Sequence, residues 1–262
     1  MPELDVAIEA VYEAGNSILE IYEGQYETFT KSDDSPITEA DLKSNEIIKT
    51  ILSKTNHKIL SEEDKDDQKR LSEEIIWIVD PLDGTSDFID KTGEFTVMIA
   101  LIKNKKPIIG VIGWPTEKTI FAAQKGCGAF RFSKGKWEKI SVTKVSELSK
   151  CKAVGSRHHL SEKEKMFIKK LGIKDFTSIG SSLKVGKISS GEAEAYITTT
   201  NKMKEWDSAA SYCLISEAGG KMTDMSGNDI TYNNKIVNHQ NGILVTNGLI
   251  HDKIVEEFKK LD

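Results

Sequence analysis

Aspartate and glutamate residues stand at the ends of several apolar segments of this sequence, where carboxylates can meet. The most informative segment is 76–85, in which an apolar run ends in Asp80-Pro81-Leu82-Asp83-Gly84-Thr85. Pro81 stiffens the turn between the two aspartates, and Gly84 allows a conformation in which backbone N–H groups approach a ligand. Carboxylates and a free carbonyl at one strand end are hard oxygen ligands of the kind that Mg²⁺ takes. The segment therefore predicts a Mg²⁺ site, although Asp-Pro and Asp-Gly are also ordinary turn residues.

Three further carboxylates stand at predicted strand or helix ends. Glu62 directly follows an apolar segment and is placed to reach a shared metal, or it belongs to a solvated charge run. Asp207 opens a predicted helix, where a purely structural N-cap is the alternative. Asp41 ends Thr38-Glu39-Ala40-Asp41, which resembles a capping box at a helix start. Each carboxylate has a structural explanation by itself, but four such elements together indicate one shared site.

The composition of the chain excludes several classes of protein. Its 262 residues include 36 Lys and Arg against 41 Asp and Glu, a formal net charge of −5. This mild acidity, without a block of basic residues, argues against a protein that coats nucleic acid. The unbroken aliphatic stretches are too short to span a bilayer. Three scattered cysteines and an acidic, amphipathic start without a secretory leader pattern predict a cytoplasmic protein.

The elements that must position these carboxylates follow from the periodicity of apolar residues. Helical spacing predicts a helix over 8–22 and another over 38–54, with a hairpin or loop at 28–36 between them. Short apolar segments predict an antiparallel-looking run of strands at 58–60, 75–79, 95–102, 108–114, 118–123, 128–132 and 136–140. Later strands at 152–155, 176–179, 195–199 and 242–246 alternate with helices that start at 161 and 182, span 207–218 and end the chain. This order predicts an α/β protein with an α+β first half, built on an antiparallel sheet, and an α/β second half.

The carboxylate motifs resemble those of the inositol monophosphatase superfamily of Mg²⁺-dependent, lithium-sensitive phosphatases. The segments that carry this resemblance are Ser61-Glu62-Glu63, Asp80 to Thr85 followed by Phe88, and Trp206-Asp207-Ser208-Ala209-Ala210. They occur in the family's order and cover nearly the whole chain. Within the superfamily, the chain is most similar to bacterial 3′(2′),5′-bisphosphate nucleotidases of sulfate assimilation. The segments that carry this closer similarity are 36–41, 93–97, Gly155-Ser156-Arg157-His158-His159 and 177–184.

The resemblance implies a layered αβαβα sugar-phosphatase fold. The change in element order near 140–150 divides the chain into a domain over 1–145 and a domain over 146–262, packed closely without a flexible linker. The resemblance makes the first domain the metal-binding one and the second the nucleotide-side one. Two or three Mg²⁺ ions are expected, with ligands from Glu62, Asp80, the Leu82 carbonyl, Asp83 and Asp207. Such two-metal phosphoryl transfer requires no Ser, Cys or His nucleophile.

The resemblance also assigns roles around the reacting phosphate. Thr85 and Asp41 are expected to orient or deprotonate the attacking water, with Glu62 counted among the catalytic residues. Backbone N–H groups of Gly84 and Thr85 are expected to bind phosphate oxygens, because a helix N-terminus favours anions.

On the substrate side, the resemblance implies that His159, Ser181 and Lys184 bind a nucleotide. The implied reaction removes the 3′-phosphate of adenosine 3′,5′-bisphosphate to give AMP, and the sulfated form is a further candidate substrate. Relatives carry an arginine shortly after the tyrosine of this strand, whereas this chain has Tyr196-Ile197-Thr198. Lys202 or Lys204 is a candidate replacement, without the bidentate geometry of a guanidinium.

The missing arginine leaves a second enzymatic hypothesis open, an inositol monophosphatase or a broad-specificity sugar phosphatase. A third hypothesis is a catalytically silent nucleotide or metal sensor, against which stands the presence of every expected ligand. The resemblance further predicts inhibition by Li⁺ and favours a monomer over a dimer. No nucleic-acid or membrane partner is expected.

Overall fold

The first half of the chain forms a seven-stranded sheet with two long helices beside it. The structure is a computed structural model and describes residues 2–31 and 35–261. The elements of this half are α1 (Pro2–Glu23), β1 (Thr28–Thr30), β2 (Pro36–Thr38), α2 (Glu39–Leu52), β3 (Lys58–Ser61), β4 (Ile75–Asp83), α3 (Thr85–Ile89), β5 (Thr96–Lys103), β6 (Lys106–Trp114), β7 (Thr119–Gln124), β8 (Gly128–Ser133) and β9 (Lys136–Ile140). The sheet runs from β3 to β9 in chain order; β3 and β4 are parallel, and all other neighbours are antiparallel. Each strand predicted between 58 and 140 is therefore present.

The second half forms a mixed five-stranded sheet. Its elements are β10 (Lys152–Ser156), α4 (Glu162–Lys170), β11 (Asp175–Ile179), α5 (Leu183–Ser189), β12 (Ala195–Thr198), α6 (Ala209–Glu217), β13 (Lys221–Thr223), β14 (Ile243–Thr246) and α7 (His251–Lys259). The strand order is β11-β10-β12-β14-β13, in which β10 is parallel to both of its neighbours and β14 is antiparallel to both of its own. The chain passes from one sheet to the other between Ile140 and Lys152, around the predicted domain boundary, which stays a prediction.

Three apolar cores lie between five layers of secondary structure. One core packs α1 and α2 against one face of the seven-stranded sheet. Another surrounds α5 and α6 between the two sheets. The third packs α4 and α7 against the far face of the five-stranded sheet. The layers therefore alternate helix, sheet, helix, sheet, helix, which confirms the expected αβαβα fold.

Local differences from the sequence-based prediction concern short elements and helix starts. The segment 28–36 is a hairpin of β1 and β2, of which residues 32–34 lie outside the described residues. The short strand β13 was not predicted. The sixth helix begins at Ala209 with Ser208 as its N-cap, so the alternative N-cap role of Asp207 is wrong. In residues 2–31 and 35–261, no helix has both the length and the apolar character that crossing a membrane requires.

Candidate active site

The two aspartates at the end of β4 point to the same side because the strand contains an extra residue. Asp80 pairs with Met98 and Asp83 pairs with Thr96, so three steps along β4 match two steps along β5. Side chains alternate between the faces of a strand, so residues three apart normally point in opposite directions. The extra residue in β4 is a β-bulge, and it shifts the alternation by one position, so that Asp80 and Asp83 point to the same face. It therefore places both carboxylates at the edge of the middle helical layer.

Three carboxylates from distant segments converge at this edge. Glu62, Asp80 and Asp207 each offer an oxygen atom that lies within 4.8 Å of the others. Glu62 follows β3, and its N–H donates to the carbonyl of Val79 at 3.2 Å, because β3 and β4 are parallel neighbours. Asp207 lies just before α6, where its Oδ2 accepts from the N–H of Lys204 at 2.8 Å. The structure thus brings together three of the residues that the sequence predicts as metal ligands.

The electrostatics of this cluster fit a divalent cation. Burial raises the pKa of Asp80 and of Asp207 well above the usual range, and the charge of Glu62 raises both further. Ionised carboxylates at such short range repel one another, so a bound cation would stabilise the cluster. Every donor is a hard oxygen, which suits Mg²⁺ better than a softer metal.

Asp83 lies beside this cluster and connects it to the second half of the chain. Its Oδ2 accepts from the N–H of Ser182 at 2.5 Å and from the hydroxyl of Thr96 at 3.3 Å. Burial raises the pKa of Asp83, although the charge of Lys184 opposes the shift. The carbonyl of Leu82, the remaining predicted ligand, belongs to the same bulge.

Asp41 and Thr85 form the predicted hydroxyl–carboxylate pair. Asp41 Oδ2 accepts from the N–H and the hydroxyl of Thr38 at 2.7 and 2.6 Å, which confirms the capping box of α2. Its other oxygen, Oδ1, accepts from Thr85 Oγ1 at 3.1 Å. Burial raises the pKa of Asp41 although these hydrogen bonds lower it. One carboxylate therefore both caps α2 and holds the hydroxyl of Thr85, and Ser44 fixes α2 to the bulge by donating to the carbonyl of Pro81 at 2.7 Å.

Lys31, which the sequence did not indicate as a site residue, lies against the carboxylate cluster. Lys31 Nζ is 2.8 Å from both Glu62 Oε1 and Glu63 Oε1. Burial works against its charge, but the two carboxylates hold the pKa of Lys31 above its usual value. Burial raises the pKa of Glu63 to about 7. The hairpin of β1 and β2 thus supplies a cation to the site, which no motif around this lysine indicates.

A buried polar network, also missed, supports the segment that carries Asp207. Glu205 accepts from the N–H groups of Asn233 and Asn234 at 2.7 and 2.9 Å. Arg70 donates to Asn233 Oδ1 at 2.7 Å and pairs with Asp66 at 2.7 Å. This network connects the loop after Glu62 to the start of α6. The only signal in the sequence is the rarity of arginine, since Arg70 is one of three.

Ser181 lies between β11 and α5, and Lys184 is the second residue of α5. Ser181 is buried and adopts a positive φ of 47°. The amino group of Lys184 donates to the carbonyl of Ser181 and lies 5.3 Å from the ring centroid of Tyr196. Burial lowers the pKa of Lys184, while the charge of Asp83 opposes the shift. Lys184 is therefore a buried charge behind Ser181, close to the metal cluster.

Charged side chains connect the loop after β10 to Asp87 of α3 and to Glu94. Arg157 pairs with Asp87 of α3 at 3.2 Å and with Glu94 at 2.5 Å. Glu94 Oε2 also accepts from the N–H of Gly180 at 2.7 Å. A Cβ atom at Gly180 would lie 2.6 Å from Asp87 Oδ2, so only glycine permits this close approach. His158 Nε2 lies 3.4 Å from Asp87 Oδ1.

Positive groups gather around His159 at the surface of the molecule. Partial burial lowers the pKa of His159, and the charges of His158, Lys202 and Lys184 lower it further. Lys204, by contrast, holds its amino group 5.2 Å from the ring centroid of Trp206. Of the two lysines that the sequence offers as replacements for the missing arginine, Lys202 is therefore the one that acts on His159.

Comparison with known proteins identifies the family. The model of the inositol monophosphatase family matches residues 2–262. The chain belongs to the inositol monophosphatase family. It is 34% identical over 237 residues to the 3′(2′),5′-bisphosphate nucleotidase CysQ of Escherichia coli. The matched region covers 87% of this chain and 93% of that protein. It is 28% identical to the nucleotidase of the same name from Haemophilus influenzae over 239 residues, 88% of either chain.

Solved structures of the inositol monophosphatase family share the fold. CysQ from Bacteroides thetaiotaomicron matches with a TM-score of 0.82 and 33% identity, covering 94% of this chain and 97% of its own. The IMPase of Thermotoga maritima matches with a TM-score of 0.84 and 25% identity, covering 100% and 98%. The resemblance inferred from the sequence is thereby confirmed.

Proposed function

We propose that the chain is a Mg²⁺-dependent phosphatase that removes the 3′-phosphate of adenosine 3′,5′-bisphosphate to give AMP and phosphate. Membership of the inositol monophosphatase family and 34% identity to named bisphosphate nucleotidases support hydrolysis of a phosphoric monoester. The observation that carries the proposal is the convergence of Glu62, Asp80 and Asp207 beside the Asp41–Thr85 pair.

Glu62, Asp80, Asp83 and Asp207, with the carbonyl of Leu82, would hold two or three Mg²⁺ ions. When bound, Mg²⁺ offsets the charge of the phosphate and lowers the pKa of coordinated water. The acidic cluster by itself would repel a phosphate, so the metal ions also make substrate binding possible.

Asp41 and Thr85 would orient the attacking water. Asp41 accepts the hydroxyl proton of Thr85, which leaves a lone pair of Thr85 Oγ1 available to accept a hydrogen bond from water. A water held in this way is oriented for direct attack on phosphorus, with inversion of configuration. The backbone N–H groups of Gly84 and Thr85, at the start of α3, would bind the phosphate oxygens.

The second half of the chain would bind the rest of the nucleotide. His159 and Ser181 are the proposed contacts, and Lys202 with buried Lys184 supplies positive charge near the second phosphate. This arrangement is supported by the charges of Lys202 and Lys184, which lower the pKa of His159. Lysine acts here as a point charge where a guanidinium would bind in a bidentate manner.

One observation favours a second candidate, hydrolysis of inositol 1-phosphate. Thr198 ends β12, close to the position where the resemblance to bisphosphate nucleotidases implies an arginine, and its side chain is buried. A site without this arginine would attract a second phosphate less strongly, and it would accept a substrate that carries only one phosphate.

Phosphate release from the two substrates, measured side by side with Mg²⁺, tests the proposal. We expect a higher kcat/KM for adenosine 3′,5′-bisphosphate than for inositol 1-phosphate. The opposite preference would replace the proposed substrate with the second candidate. Asp83→Ala, which removes a proposed ligand, should abolish the release and so exclude a contaminating phosphatase. Release from neither substrate would revive the sensor hypothesis.

A further inference from the structure

A buried glutamate connects two surface loops at the nucleotide side. Glu164, in the first turn of α4, is 2% exposed. Its Oε2 accepts from the N–H of Ser161 at 2.8 Å, and its Oε1 accepts from the N–H of Thr199 at 2.6 Å and from the hydroxyl of Thr199 at 3.3 Å. The two oxygens of one carboxylate are thus shared between segments that are far apart in the sequence.

Only half of this arrangement is explained by helix capping. Ser161 and Glu164 form a capping box, in which the serine hydroxyl accepts from the N–H of Glu164 at 3.2 Å. A capping box needs one oxygen of the glutamate, directed at the N-cap N–H. The contact with Thr199 is additional, and hydrogen bonds to an ionised carboxylate are stronger than those between neutral groups.

Both connected segments carry residues of the proposed nucleotide side. The first segment, 156–161, contains His158 and His159. The second, 199–202, contains Lys202 and ends before residues 203–205, which backbone hydrogen bonds attach to residues 237–239. Apart from Ser156, the last residue of β10, neither segment lies in a helix or a strand, and no backbone–backbone hydrogen bond joins the two segments, which the structure describes in full. The Glu164 carboxylate supplies a fixed connection between them.

We propose that Glu164 is a positioning residue that holds these two loops at the separation required by the nucleoside part of the substrate. It touches neither the metal cluster nor the Asp41–Thr85 pair, so it would control substrate affinity and leave the chemical step unchanged. This inference rests on the proposed function, because it concerns the nucleotide side.

Glu164→Asp separates the two contacts. Aspartate at this helix position can still complete a capping box, as Asp41 does in α2. Its side chain is shorter by one methylene group, so it cannot also reach Thr199. Glu194→Asp is the matched control. Glu194 is a buried carboxylate at the opposite end of β12, where it accepts from the N–H of Lys152 at 2.7 Å, away from both loops.

We expect Glu164→Asp to raise the KM for adenosine 3′,5′-bisphosphate about tenfold, the factor that corresponds to about 1.4 kcal/mol. The kcat, the Mg²⁺ dependence and the KM for p-nitrophenyl phosphate, which has no nucleoside, should stay unchanged. Glu194→Asp should change none of these. An unchanged KM in Glu164→Asp, or an equal rise in Glu194→Asp, would overturn the proposal.

Hydrogen exchange tests the connection without any substrate. In Glu164→Asp, the amide of Thr199 should exchange faster, while the amides of α4 keep their protection. Unchanged exchange at Thr199 would contradict the connection even if wild-type protein hydrolysed the bisphosphate. Conversely, a wild-type protein that does not hydrolyse the bisphosphate contradicts the proposed function, and exchange at Thr199 still decides whether Glu164 connects the loops. If Glu164→Asp does not fold, Glu164→Gln is measured in the same way. Glutamine has a single acceptor oxygen, so it cannot accept from both Ser161 and Thr199, and a rise in KM in the same direction is expected.

Discussion

The proposed metal side and the proposed nucleotide side of the site are built in different ways. On the metal side, the carboxylates lie on or next to regular elements. Backbone or hydroxyl donors hold the four aspartates in place, and Lys31 holds Glu62. On the nucleotide side, the charged residues other than buried Lys184 belong to surface loops. Two of these loop residues already pair with acidic groups: Arg157 with Asp87 and Glu94, and His158 with Asp87. Precise chemistry requires groups held by rigid elements, whereas loops tolerate substitution. A missing arginine therefore alters specificity more readily than catalysis.

The largest expected effect comes from the metal side, through Asp80→Asn. The change removes one of three converging carboxylates, and we expect phosphate release to fall at least about a hundredfold, since outer-shell partners alone change metal affinity or activity by about 10–100-fold. In the absence of metal, the variant should unfold at a higher temperature, because a source of repulsion has been removed. Phosphate release over a Mg²⁺ series and metal-free thermal unfolding measure both effects. Asp67→Asn, at an exposed carboxylate, is the control, and wild-type activity in Asp80→Asn would exclude Asp80 from the site.

Two buried groups, Asp80 and His251, should contribute to stability with opposite dependence on pH. Burial raises the pKa of Asp80 in the folded protein. The free energy of unfolding of the metal-free protein should therefore decrease as the pH rises through that pKa. His251 is fully buried between the hydroxyls of Thr223 and Thr246, and burial lowers its pKa to about 4. A lowered histidine pKa stabilises the neutral form, so this contribution is present above the unfolded pKa of about 6.5 and is lost as pH falls towards 4.

We expect the His251 contribution to decrease by about 2 kcal/mol between pH 7 and pH 5. Urea unfolding of the Mg²⁺-loaded protein and of His251→Asn at both pH values measures it. The variant should be less stable at pH 7 and should lose less stability on acidification. Equal pH dependence of the two proteins would show that His251 does not control the acid response.

A smaller effect is expected when the Thr85 hydroxyl is removed. Thr85→Ala deletes the donor to Asp41 and should lower kcat about tenfold. This loss is smaller than the roughly 10²–10⁴-fold contribution of a group that itself transfers a proton, because the hydroxyl only orients the water. The KM should change little. Thr85→Ser keeps the hydroxyl and should retain most of the activity. A kcat in Thr85→Ala equal to that of Thr85→Ser would remove this hydroxyl from the mechanism.

The smallest expected effect lies on the nucleotide side, at Lys202. Lys202→Ala should raise the KM for adenosine 3′,5′-bisphosphate about threefold to fivefold, because an exposed charge contributes on the order of 1 kcal/mol or less. The effect should decrease at high salt, where the charge is screened. Lys204→Ala removes the same charge two residues away and should raise the KM less. A larger effect at Lys204 would reverse the assignment of the two lysines.

Much of the scaffold could be predicted because its signals are local. The strands between 58 and 140 follow from short apolar segments, and the capping box of Thr38 and Asp41 follows from residue types three positions apart. The acidic residues at strand ends could be named as candidates for the same reason. The short strand β13, with three residues, contains too few side chains for a periodic signal.

The sequence by itself determined the order of helices and strands and the identity of the acidic residues, since both depend on residue type and short-range spacing. The layered fold was implied by the resemblance to the family. Only the tertiary structure decided which side chains meet. The bulge that turns Asp80 and Asp83 to one side depends on pairing with β5, and Lys31 reaches Glu62 only through a tertiary contact between residues 31 positions apart. The contact of Arg70 with Asn233 joins residues 163 positions apart. Such contacts depend on how the sheets and helices pack, and no local pattern of residues encodes that packing.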